Sequence, residues 1–300
     1  MSNAVISPEA LLGSRETASS LPPASNETPG DTPVIGTVKA ALVRTIMASI
    51  MLLTGAYVGV DWAMFFHHFA STFPADAGYA RSVMCFLLVL LIGPTDISVA
   101  DRRYLGAAFV VTLLADYFLI LTDKMTLGTA IFLVVHGIYI ARHAQGIKAS
   151  FAPAVRAKTI KWMVITGVVA YGATLALIVT VKPILVRSGM FALDCVYLGF
   201  LSTSLWMAWG TLIRSFYPRY NAWMIAVGMT FFYCCDVSVG LSAALTGTDA
   251  GAILNNMVGL FYTPALVLLA FSGFRWLPSP KAGESHLGMS GRLAFGISPR

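Results

Sequence analysis

Apolar residues run through this chain in eight long blocks separated by short polar stretches, near residues 38–62, 79–97, 104–122, 126–143, 158–181, 186–215, 220–245 and 252–276. The blocks are too long for strands and too uniformly apolar for one-sided surface helices. Most approach the roughly 20 residues that an α-helix needs to cross a hydrocarbon core. The pattern therefore predicts eight transmembrane helices. Proline punctuates two of them: Gly93-Pro94 interrupts the second near its end, and Lys182-Pro183 is expected to stop the fifth. The third and fourth form a hairpin, Tyr104 to His143, turned at Thr122, Asp123 and Lys124. Residues 1–38 hold Pro, Ser, Thr and Glu without periodicity and read as a disordered tail. They lack the short apolar core of a secretory signal. Residues 39–276 form the membrane domain, and 277–300 a flexible C-terminal tail.

Composition agrees with the pattern. Hydrophobic residues make up 57% of the chain and charged residues 11%, whereas a soluble domain carries about 25% charged residues. Mean hydropathy is +0.75. The fold class is all-α, an integral multi-pass membrane bundle, and in a bacterial host it would lie in the cell membrane. The net charge of +6 invites a nucleic-acid reading, but the distribution of the basic residues excludes it. With eight spans, the tails and the loops after helices two, four and six hold sixteen Lys and Arg, Arg142 and Arg214 among them, and the opposite side holds four: Arg81, Lys124, Lys182 and Arg187. By the positive-inside rule both termini are cytoplasmic. The sequon at Asn26 then falls on the cytoplasmic side and reads as chance. Cys85, Cys195, Cys234 and Cys235 lie in apolar segments without metal spacing and read as packing residues.

Ionisable residues inside the spans are the candidate chemistry, because a charge in the bilayer is costly unless it is paired or faces a polar cavity. Asp116 stands about 12 residues into the third helix from its cytoplasmic end, roughly 18 Å at 1.5 Å per residue. Asp236 stands about 16 residues into the seventh, roughly 24 Å by the same rise. Asp194 lies one to two turns inside the outer end of the sixth. His136 lies about 10 residues into the fourth, followed on the same face by Tyr139 and His143. Two readings stand side by side: an Asp and a His that pair to fix helix register, or four ionisable side chains lining one cavity open to the outer leaflet. His143, beside Arg142, is expected at the cytoplasmic interface. Adjacent His67 and His68 lack a third ligand, and no metal site is expected. Asp61 and Asp96 are expected to be solvated at helix ends. Trp62, Phe65, Phe66, Trp206, Trp209, Trp223 and Trp276 read as interface anchors and packing.

The hairpin LLADYFLILTDKMTLGTAIFLVVHGIYIARH resembles the signature of the YhhN family, the lysoplasmalogenase-like membrane proteins. Asp116 and Leu119 match that family's Gly-Asp-x-x-Leu, with Ala115 in place of the glycine. Gly128, Phe132, His136 and Tyr139 match the motif that follows. Gly228, Phe232 and Asp236 match the family's segment on the seventh helix, where Cys235 replaces a serine. Tyr262 and Ala265 match on the eighth, where Leu266 replaces a glutamine. The resemblance covers roughly residues 40 to 275. It implies hydrolysis of the vinyl ether bond of lysoplasmalogens, a lysophospholipid partner drawn from the bilayer, and no cofactor. On that reading Asp116 and Asp236 are the catalytic carboxylates and His136 assists them. Tyr139, Asp194 and Tyr262 contact substrate.

Two other classes fit intramembrane acids. A proton-coupled transporter also places them near the midplane, and breaks at Gly93-Pro94 and Tyr262-Thr263-Pro264 would favour it. A non-enzymatic lipid-handling or sensing protein of the same fold is a further alternative, since function need not follow fold. A retinal protein is disfavoured, since every lysine lies in a tail, a loop or at a helix end.

Overall fold

The computed structural model describes residues 33–67, 75–92, 98–148, 156–187 and 191–274. Among them are eight α-helices and no strand: α1 (Pro33–His67), α2 (Ala75–Ile92), α3 (Val99–Asp116), α4 (Met125–His143), α5 (Arg156–Arg187), α6 (Phe191–Arg214), α7 (Arg219–Ala244) and α8 (Asp249–Phe271). Seven are long and apolar enough to cross a membrane. The remaining one, α2, has 18 residues and carries Asp76 and Arg81 in its first half. Contacts divide the chain into Met1–Val38 and Lys39–Arg300, and the bundle belongs to the second unit.

Element boundaries follow the apolar blocks with three departures. Helix α1 begins at Pro33, inside the stretch expected as tail. Helix α5 does not stop at Lys182-Pro183 but continues to Arg187; Pro183 removes one N–H from the ladder, a loss that membrane helices tolerate. Helix α8 likewise runs unbroken through Pro264, so the expected break there is absent. Gly93-Pro94, Asp96, His68 and Trp276 lie outside the described residues.

Six helices close on one another in the cyclic order α2, α3, α4, α6, α7, α8 and back to α2. Helix α5 packs outside α6. Helix α1 is the least buried, touching the ring through side chains such as Tyr57. Apolar side chains that point away from the ring, Leu52, Val168 and Val169 among them, are exposed as a lipid-facing surface requires. Small residues set the closest crossings. A Cβ on Gly128 would collide with the Leu119 side chain and stand 3.3 Å from the Ala115 carbonyl, so α4 meets the end of α3 and the turn after it only because that position is glycine. At Gly259 an added Cβ would meet the Tyr57 ring at 2.5 Å, which seats α1 on α8. The four cysteines are free, with Cys85 and Cys235 buried.

A polar layer closes the end of the ring at which α4 and α6 finish. Asp101 and Arg142 are both fully buried there. Arg142 donates through Nε and Nη2 to the two Asp101 oxygens at 2.8 and 3.2 Å, and through Nη1 to Ser272 at 2.9 Å. The Tyr217 hydroxyl lies 2.8 Å from both Asp101 Oδ1 and the Arg142 carbonyl. Tyr217 sits in the connection between α6 and α7, where burial raises the pKa of its hydroxyl and keeps it a donor. Asn221 donates to the Ser272 carbonyl at 2.7 Å, tying α7 to the end of α8.

The layer corrects three expectations. Arg142 and Arg214, counted as loop charges, are buried, and His143 is fully buried rather than interfacial. The last turns of α4 and α6 stay inside the bundle because Asp101, Tyr217 and backbone carbonyls meet them there. Removing one partner of a buried, hydrogen-bonded ion pair costs about 3–5 kcal/mol, whereas replacing both with apolar groups costs far less. We therefore expect Arg142→Met to lower the thermal unfolding midpoint of the detergent-solubilised protein sharply, and Asp101→Leu combined with Arg142→Met to recover most of that loss.

Candidate active site

The opposite half of the ring holds a second polar cluster, built from all six ring helices. Asp116 is the last residue of α3. The chain continues as a π-helical turn, Tyr117–Leu121, before the loop at Asp123, which takes a left-handed backbone (φ 51°). Such turns accommodate one extra residue and often accompany functional positions. Asp116 is 2% exposed. Tyr262 of α8 donates to its Oδ2 at 2.5 Å, and Ser82 and Arg81 of α2 interact with it.

Asp236 of α7 is held from two other helices. The Tyr197 hydroxyl of α6 donates to Asp236 Oδ2 at 2.6 Å, and His136 Nε2 of α4 stands 3.2 Å from the same oxygen. The other ring nitrogen of His136 lies 3.2 Å from the Ser204 Oγ of α6. If Nε2 carries the proton and donates to Asp236, Nδ1 accepts from the serine hydroxyl, so every polar atom of the imidazole has a partner. The imidazole is thus oriented from both sides. The Asp236 side chain is 10% exposed, making it the more open of the two carboxylates.

Phe232 joins the two halves. One turn before Asp236 on α7, it is fully buried, and its ring packs edge-on against His136 (5.3 Å between centroids) and Tyr262 (5.9 Å). The two carboxylates are close enough to interact electrostatically, and Cys235 feels both of them. What the cluster offers chemically is two carboxyl groups, one enclosed and one slightly open. A histidine and two tyrosines orient them, on an otherwise apolar interior.

Asp116, Asp236, His136 and Tyr262 are therefore brought together. Tyr139 and Asp194 are not. Tyr139 lies one turn below His136 and packs against His143 and Phe232, away from the carboxylates. Asp194 is half-buried in the first turn of α6 and makes no hydrogen bond with the cluster among the described residues. The α6 residue that reaches the site is Tyr197, three positions further on. With Ser204 at i+7 it forms a face that the spacing alone displays.

Arg81, counted among the charges on the outer side, is 5% exposed. Its helix starts at Ala75, ahead of the apolar block, which carries it into the bundle. Asp61, expected to be solvated, faces Arg81 and Tyr57 instead. Leu266 and Cys235, where the resembling family has polar residues, are both buried in the core. No group of His, Cys, Asp and Glu among the described residues has the arrangement of a metal site.

Residues 77–273 match the model of the YhhN family, which covers every site residue of the six-helix ring. No curated protein and no solved structure matches the chain.

Each carboxylate leans on one tyrosine, and a buried acceptor that loses its donor costs about 1–3 kcal/mol. Tyr262→Phe and Tyr197→Phe should each lower the unfolding midpoint in detergent. Asp194→Asn, outside the cluster, should leave stability within about 0.5 kcal/mol of wild type and the midpoint nearly unchanged.

Proposed function

The chain belongs to the YhhN family, and from that premise we propose that it hydrolyses the vinyl ether bond of lysoplasmalogen-type lipids within the membrane. The observation that carries the proposal is that Asp116, held by Tyr262, and Asp236, held by His136 and Tyr197, come from α3 and α7 to either side of Phe232 in one buried cluster.

Vinyl ether hydrolysis begins with a proton delivered to carbon, which gives an oxocarbenium ion. Water adds to that cation, and the resulting hemiacetal collapses to a fatty aldehyde and a glycerophospho-base. One carboxylic acid must give the proton, and one carboxylate must stabilise the cation and take a proton from water. Access divides the roles. Asp116, enclosed and oriented by Tyr262, is the proton donor, because a donor to carbon must not lose its proton to competing water. Asp236, slightly open and joined to His136, receives the water proton, and the imidazole relays or shares it. Phe232 packs between the partners of the two carboxyls, His136 and Tyr262.

With the basic loops facing the cytoplasm, the site lies in the outer half of the bilayer. A lysolipid then enters between helices, its chain among apolar side chains. The continuous α8 removes one of the helix breaks that would favour a transporter.

The measurement that tests this reading is aldehyde release from a vinyl-ether lysolipid by the purified protein in nanodiscs. Asp116→Asn and Asp236→Asn are expected to lower turnover by about 10²-fold or more, the range for loss of a positioned acid or base. Both variants should remain folded and extractable. Full activity in both would remove the two-carboxylate mechanism.

A further inference from the structure

Among the described residues three arginines are buried in the bundle, Arg81, Arg142 and Arg214, and Arg142 and Arg81, each beside a polar cluster, are treated very differently. Arg142 has a bidentate carboxylate, a serine hydroxyl and an aromatic neighbour. Arg81 has far less. Its Nη1 donates to Thr263 Oγ1 at 3.2 Å, and its guanidinium carbon lies 4.0 Å above the Tyr57 ring. Its Nε has no hydrogen-bond partner. The ion pairs among the described residues are Arg142 with Asp101 and His136 with Asp236, and Arg81 is in neither. A guanidinium is permanently charged and carries five N–H donors. Burying it against a hydroxyl and a π face leaves much of that capacity unused, which is costly in a low-dielectric interior.

The position of Arg81 is as informative as its incomplete set of partners. It stands in the second turn of α2, and Thr263, which orients it, adjoins Tyr262, the donor to Asp116. The Thr263–Tyr262 pair thus links the Arg81 cation to the Asp116 carboxyl across α8. Asp61, one turn beyond Tyr57 on α1, faces the same guanidinium and is half-buried. The Asn256 amide holds the Asp61 backbone at 3.3 Å. A cation and an anion thus stand side by side, next to the site and on its α2–α8–α1 flank.

We propose that Arg81 is the phosphate-recognising residue of a headgroup subsite for a zwitterionic glycerophospholipid, with Asp61 facing the headgroup ammonium. A phosphodiester offers the guanidinium two oxygens in the fork geometry that arginine matches. Phosphate and ether are separated by one glycerol in a lysolipid, so anchoring the phosphate beside Asp116 directs the ether oxygen and its vinyl carbon toward the carboxyl pair. The subsite rests on the lipid-hydrolase reading for its purpose, but it can be tested without turnover.

The probes are a saturated 1-O-alkyl-glycerophosphocholine and the 1-O-alkylglycerol of the same chain. Neither has a vinyl ether, and they differ only in the headgroup. Each is titrated against purified protein in detergent, with the ligand-induced shift of the unfolding midpoint as readout. Wild type should bind the phosphate-bearing lipid at least tenfold more tightly. Arg81→Gln should bring the ratio close to one while leaving alkylglycerol affinity unchanged, and Arg81→Lys should retain part of the preference. Asp61→Asn should lower the preference for the choline headgroup over a plain phosphate monoester. If Arg81→Gln fails to fold, Thr263→Val misaligns the guanidinium and reads the same ratio.

A wild-type protein with no preference, or a preference that survives Arg81→Gln and Thr263→Val, overturns the proposal. Competition by inorganic phosphate as strong as that by the lipid would assign Arg81 to a free anion and overturn the headgroup subsite. Aldehyde release without headgroup preference would reject the subsite alone. Headgroup preference without aldehyde release would support the subsite and reject the hydrolase reading.

Discussion

A charge placed among membrane helices has no water to turn to, so its partners must come from other helices, and that requirement organises this bundle. Asp236 is met by α4 and α6, and Asp116 by α8 and α2. Arg142 is met by α3, by the residue that ends α8, and by the connection after α6. Some of these bonds join consecutive helices, as Tyr197 of α6 joins Asp236 of α7, and others join elements more than a hundred residues apart, as Tyr262 joins Asp116. Together they favour the observed cyclic order of the six ring helices, in which each of these donors meets its acceptor. Apolar packing alone would be nearly indifferent to that order, since lipid tails satisfy a leucine about as well as another helix does.

Helix α4 links the two polar layers. His136 serves the carboxylate site and Arg142 the opposite layer, with Tyr139 packed between them against Phe232. The close approach of α4 to the end of α3, permitted by Gly128, sets the positions of both residues relative to Asp116. Packing and chemistry are therefore coupled through one helix crossing. A shift of α4 by a fraction of a turn would unpair a charge at each end of the bundle.

The site itself reads as a division of labour between enclosure and access. Asp116 is closed in and met from α8 and α2, while Asp236 keeps a small opening and a histidine. Two chemically identical side chains acquire different tasks from their surroundings, as acid–base pairs commonly do. Arg81 and Asp61 extend the same logic outward. Where the inner layer pairs its arginine completely, the flank beside the site leaves a cation and an anion for a ligand to complete.

The all-helical membrane class, the eight helices and the hairpin turned at Thr122–Lys124 were legible in the residues, because the length of an apolar run and the polar residues that end it are local properties. Asp116, His136 and Asp236 stood out for the same reason: a charge inside an apolar run is visible wherever it occurs. The places where that reading fails share one cause. Arg81, Arg142, Arg214 and His143 lie near the ends of apolar runs, where a one-dimensional pattern cannot tell an interface from the interior of a bundle. Tyr197 and Ser204 are ordinary helix residues until α6 turns that face toward His136. The sequence by itself determined what must cross the membrane and which charges need partners. Which partners they receive was decided only by the tertiary structure, because a hydrogen bond between helices depends on their crossing and rotation, and the linear order of residues encodes neither directly.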